Sequence, residues 1–122
     1  KKINFTLPVK GKSQNRNINE HKYILDDRWF KKFFKTLKLS YSKAPFYKEI
    51  ITILKDIFDY KDYNVAKFNY NSLKILSNYI GIKTDIVPGS SSYEYEQIKG
   101  QDRIIDICKK ENADTYAWMY SG

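Results

Sequence analysis

The chain has 122 residues, 42% of them hydrophobic and 16% aromatic, and carries a net charge of +8 at pH 7. That is enough apolar material for one domain around one core, and too much aromatic content for a disordered chain. No apolar run approaches the roughly 20 residues of a membrane helix. A lone cysteine excludes an internal disulfide, and with no signal peptide visible the expected location is cytoplasmic.

INFTLPV, Ile3 to Val9, alternates, with Ile3, Phe5 and Leu7 in phase, and reads as a strand. Lys10 to Asn19 is a polar loop. NINEHKYIL offers a second strand with Ile18 and Ile24 in phase. Asp26 or Asp27 then caps a helix striped by Phe30, Phe33, Phe34, Leu37 and Tyr41. Lys31, Lys35 and Lys38 lie on its other side. Such a row is read first as a solvated face, and second as a ridge for a polyanion.

Pro45 suits the first turn of the next helix, which carries Phe46, Tyr47, Ile50, Ile51, Leu54, Ile57 and Phe58 and ends near Tyr60. Asn64 caps a third helix, with Val65, Phe68, Ser72, Leu73, Leu76 and Ile80 inward and Gly81 at its stop. KTDIV, Lys83 to Val87, reads as a short strand before Pro88-Gly89 and the polar loop SSSYEYEQIKG. Gln101 or Asp102 starts a fourth helix bearing Ile104, Ile105 and Cys108, which Asn112 can end in the left-handed conformation. Asp114 to Met119 reads as a last strand. The expected fold is therefore α/β, a small mixed sheet with about four helices and a βαβ-like unit over 83–119. The chain starts inside one apparent strand and ends just after another apolar run, so the expectation is one domain, 1–122, incomplete at both ends.

Cys108 follows Ile104 by four residues and is read as a small apolar residue of the buried stripe. The alternative, a nucleophile, suffers from its place near the negative end of the helix dipole. His21 is the only histidine, and no metal-ligand spacing is present, so no metal or cofactor is expected. A Cys108–His21 dyad has no support in the sequence. Glu94 and Glu96 read first as surface charge. The loop after KTDIV is the best-placed ligand site, because sheets bind ligands beyond the carboxyl ends of their strands and serine hydroxyls can hold an anion. No standard nucleotide or hydrolase motif is present. The charge comes from 19 Lys and only three Arg, and Lys lacks the fork that suits phosphate and base edges, so nucleic acid is not the expected partner.

Three segments together resemble the WbqC-like family of bacterial proteins, often associated with O-antigen and other surface-polysaccharide gene clusters. FTLPVKGK with NINEHKYI resembles the strand–loop–strand around that family's "TVPV" run. RWFKKFFKTLKLSYSKAPFY resembles its "W-x-x-K-H … Y-x-K-A-P-Y-F" helix pair, and KGQDRIIDICKKENADTY its "R-L-I-D-I-C-K-x-L-G-A-T-x-Y" helix and strand. The resemblance implies an enzyme of surface-glycan biosynthesis, an acyl- or aminoacyl-transferase acting on an amino sugar, with a sugar-linked substrate such as a nucleotide sugar. Trp29, Tyr41, Lys43, Pro45, Ser91, Ser92, Arg103 and Tyr116 match recurrent family residues. Of these, Lys43, Ser91, Ser92, Arg103 and Tyr116 are the expected ligand-binding residues, with catalytic groups unassigned. The family's early histidine-and-proline motif is missing. Its helix histidine falls on Phe33, and its polar residues after the last tyrosine fall on Trp118 and Met119. A non-catalytic basic binding domain, with Lys31, Lys35 and Lys38 carrying nucleic acid or an acidic polymer, is the alternative. A family member kept as a scaffold is the third reading.

Overall fold

The computed structural model describes residues 3–11, 13–90, 93 and 97–118. Among these the protein is helical, with α1 (Asp27–Tyr41), α2 (Tyr47–Asp59), α3 (Val65–Tyr79) and α4 (Gly100–Lys110). The chain forms two compact units, Lys1–Pro88 and Gly89–Gly122.

The expected α/β sheet is absent among the described residues, and this corrects the fold class. Only two isolated antiparallel bridges remain, Val9 with Tyr23 and Lys22 with Asn64. Local chemistry explains the first pair of segments. Pro8 has no N–H to give a ladder, although its carbonyl accepts from Ile24 N–H at 2.8 Å. In the expected second strand the Asn17 N–H bonds Glu20 Oε2 at 2.7 Å, which folds Ile18–Glu20 into a 3-10 turn instead. Ile18 and Ile24 are consequently 67% and 50% exposed, while Tyr23 and Leu25 face the core. Lys83 to Val87 and the described part of the last expected strand, 114–118, run without strand partners, so no βαβ unit forms there.

The core of the first unit is aromatic. Phe33, Ile57, Phe58 and Phe68 form its buried centre, and Trp29, Phe30, Phe34, Leu37, Ile53, Leu54 and Ile75 pack around it. Phe58 of α2 meets Phe33 edge-on at 5.4 Å and Phe68 of α3 at 5.9 Å, so it joins all three helices. Each such ring pair adds about 0.5–1.5 kcal/mol beyond burial. Phe5 reaches the same core, edge-on to Phe33 at 4.6 Å.

The helix ends follow their capping chemistry. Asp26 Oδ1 accepts from Trp29 N–H at 2.7 Å and starts α1. Asn64 Oδ1 accepts from the N–H groups of Ala66 and Lys67 and starts α3. Pro45 lies in the turn before α2 rather than in its first helical turn. Gly81, at φ +78°, closes α3 with the bonds Gly81 N–H to Asn78 C=O and Ile82 N–H to Ser77 C=O. No helix is long and apolar enough to cross a membrane among the described residues.

Candidate functional site

The second unit is built on α4. Its Gln101, Ile104, Ile105, Cys108 and Lys109 recur at helical spacing and share one side. Asn112 then takes φ +51°, and the bonds Asn112 N–H to Lys109 C=O and Ala113 N–H to Cys108 C=O close the helix. That closure turns the chain so that Ala113, Asp114, Thr115, Tyr116 and Trp118 form a second wall. Between the walls lies an open cleft of about 890 Å³. Its body is apolar, from Ile104, Ile105, Cys108 and Trp118, and its polar groups come from Gln101, Lys109, Asp114, Thr115 and Tyr116.

Two contacts brace α4. Lys110 Nζ pairs with Asp106 Oδ2 at 2.9 Å, one turn apart with the acid N-terminal, the favourable orientation. Tyr93 O–H donates to Glu111 Oε1 at 2.5 Å and ties the preceding loop to the helix end.

Of the expected ligand residues, Tyr116 lines the cleft and is 55% exposed. Arg103 is on α4 but not in the cleft lining; it is half-buried and has a partner of its own. Lys43 is exposed in the turn between α1 and α2, in the first unit. Ser91, Ser92, Glu94, Glu96 and Met119 lie outside the described residues. Cys108 is half-buried and lines the cleft, rather than filling a closed core. His21 belongs to the first unit, where it lines a separate hollow with Val9, Ile18 and Val65. No group of three or more metal-ligating side chains occurs among the described residues.

Sequence reasoning missed Gln101, Lys109, Asp114 and Thr115 as site residues. Gln101 and Lys109 share the periodicity of Ile104 and Cys108, and that was the available signal. Phe33, where a histidine stands in the resembled motif, is 8% exposed and enclosed by aromatic rings. That position serves packing here.

The chain is similar to the uncharacterized protein Rv1507c of Mycobacterium tuberculosis, with 26% identity over 114 residues. The match covers 92% of this chain and 48% of that protein, so the chain spans about half the length of this relative. No solved structure matches the chain. The sequence model of the WbqC-like protein family matches residues 1–122, the whole chain, and the protein therefore belongs to the WbqC-like family.

Proposed function

We propose that the α4 cleft binds a sugar-linked small molecule, an amino sugar carried on a nucleotide, in surface-glycan biosynthesis. The observation that supports this is the cleft's lining, which sets Ile104, Ile105 and Cys108 and the rings of Tyr116 and Trp118 together with the Lys109 ammonium, the Asp114 carboxylate and the hydroxyls of Thr115 and Tyr116. Sugars present apolar C–H faces and hydroxyl edges, and a site for them needs both kinds of group. Trp118 and Tyr116 suit the sugar's apolar face. Lys109 suits a phosphate, and Asp114 suits an amine. Ser91, Ser92 and Arg103 of the second unit and, separately, Lys43 of the first unit remain proposed ligand groups on their chemistry, since hydroxyls and cations bind phosphate.

The reaction proposed is acyl or aminoacyl transfer. The sugar's amine nitrogen forms an amide bond to the carbonyl carbon of an ester donor, whose alkoxide leaving group departs with a proton. Asp114 is assigned the proton that the amine loses. A second reading, binding without chemistry, is favoured by Trp118 in the cleft and Phe33 in the core, at positions where the resembled motifs carry polar groups.

Tryptophan fluorescence tests the binding claim, because the chain has two Trp residues and only Trp118 lines the cleft. Titration with UDP-N-acetylglucosamine and with glucosamine should change the emission, and the change should vanish in Trp118→Phe. A response unaltered by Trp118→Phe, or no response to either compound, contradicts the proposal. Amide formation with an activated acyl donor, lost in Asp114→Asn, would favour transfer over binding alone.

A further inference from the structure

The outer face of α1 carries Arg28, Lys32, Lys35 and Leu39 at i, i+4, i+7 and i+11, which is one stripe along a helix. Lys31 and Lys38 flank it. All six residues are exposed. The opposite face holds Phe33 and its neighbours in the core, so the fold of this unit commits α1 to turning the stripe outward. The ion pairs among the described residues involve Lys61, Lys67 and Lys110, so none of these five cations is neutralised by a carboxylate.

A row of lysines alone is ordinary solvated surface. Leu39 is what changes the reading: it is 76% exposed and stands in line with the cations. At the turn that follows, Phe46 is 63% exposed and Lys43 is exposed beside it in sequence. The cations run over about 15 Å from Arg28 to Lys38, at roughly 1.5 Å per residue. A straight helix face of this kind matches a plane of anions rather than a point.

We infer that the outer face of α1 docks on an anionic lipid bilayer, with the five cations over the headgroups and Leu39 entering the acyl boundary. Basic side chains near such a surface are drawn to it additively, and an apolar side chain gains by leaving water. A nucleic acid is the poorer partner. Four of the five cations are Lys, which lacks the bidentate fork for phosphate and base edges, and Leu39 would gain nothing on a phosphate ridge.

Flotation with vesicles tests this. The protein should float with vesicles of phosphatidylglycerol and phosphatidylcholine, and not with phosphatidylcholine alone. The triple variant Lys31→Gln, Lys35→Gln, Lys38→Gln should bind about a hundredfold more weakly, as expected of three cations near an anionic surface. Leu39→Ser should weaken binding about tenfold, and its effect should persist at high salt. A control triple with the same charge change, Lys48→Gln, Lys55→Gln, Lys74→Gln, should keep most of the affinity. All these positions are exposed, and unchanged helical circular dichroism confirms that each variant is folded. Three outcomes overturn the inference: no flotation with the anionic vesicles; equal loss in the control triple; or binding to duplex DNA as tight as to vesicles, with Leu39→Ser unaffected in both.

Discussion

Trp29 stacks on Phe33, ring centroids 4.9 Å apart and planes 13° from parallel. The two residues are one turn apart on α1, so the helix itself sets the stack. It anchors an aromatic cluster that also takes in Phe5, Phe34 and Phe58. Phe33→Ala should therefore cost about 3–5 kcal/mol in denaturant unfolding, the range for deleting a buried aromatic ring. Phe33→His should also destabilise, because an imidazole there has rings for neighbours and no hydrogen-bond partner. A Phe33→His protein as stable as the parent would contradict the packing role.

Asn64 serves two structures at once. Its Oδ1 caps α3, while its Nδ2 donates to the Asn19 carbonyl at 2.6 Å. Asn64→Asp should keep the cap and lose the donor. Asn64→Ala should lose both and cost about 0.5–2 kcal/mol for the cap alone. Thermal unfolding of the two variants separates the roles, with Asp the milder change.

Two exposed contacts give stability opposite dependences on pH. Lys67 Nζ lies 2.8 Å from Asp62 Oδ2. The hydrogen bond from Lys67, with the Asn64 N–H, holds the Asp62 carboxyl below its ordinary 3.8. A lowered value means stability present above 3.8 and lost as pH falls through the folded-state value. Tyr79 O–H donates to Glu49 at 2.9 Å, and that bond raises the phenol above 10.0. Its contribution is present below 10.0 and lost as pH rises through the folded-state value. Asp62→Asn should therefore differ from the parent at neutral pH and converge on it in acid. Tyr79→Phe should converge on the parent only in strong alkali. Both effects are small because the groups are in water.

Asn112 sits at φ +51° at the turn from α4 into the cleft's second wall. Asn112→Gly should be neutral or stabilising, and Asn112→Val should cost about 1–2 kcal/mol, because a β-branched side chain is strained in the left-handed conformation that Asn tolerates. The Val variant should also blunt any ligand response of Trp118, because the turn positions that wall. Equal stability of the Gly and Val variants would contradict the assignment.

The helices were legible because their signals are local. Asp26, Asn64, Gly81 and Asn112 act within a turn of their own backbone, and the spacing of Phe30, Phe33, Phe34 and Leu37 follows from helix geometry. Which faces find cover was less legible. Leu73, Leu76 and Ile80 continue the stripe of α3 yet stand 54%, 40% and 63% exposed, while Ile75 packs on the core. Strands were the failure. Alternation reports the period of a segment but not its partner, and a strand exists only through its partner's hydrogen bonds. Lys83 to Val87 has the composition of a strand and no ladder. The cleft was half legible: the spacing of Ile104 and Cys108 appeared as a stripe, but that the stripe faces open space depends on the turn at Asn112 and on Trp118.

The most direct test of the cleft as a ligand site is an amide NMR titration of the folded chain with UDP-glucosamine, a nucleotide sugar whose amine is free. Saturable shifts confined to Gln101, Cys108, Lys109, Thr115 and Tyr116, and weakened by Tyr116→Ala, are the predicted result. Saturable shifts that spare α4 and fall on other residues, or none at ligand concentrations in the millimolar range, would contradict it.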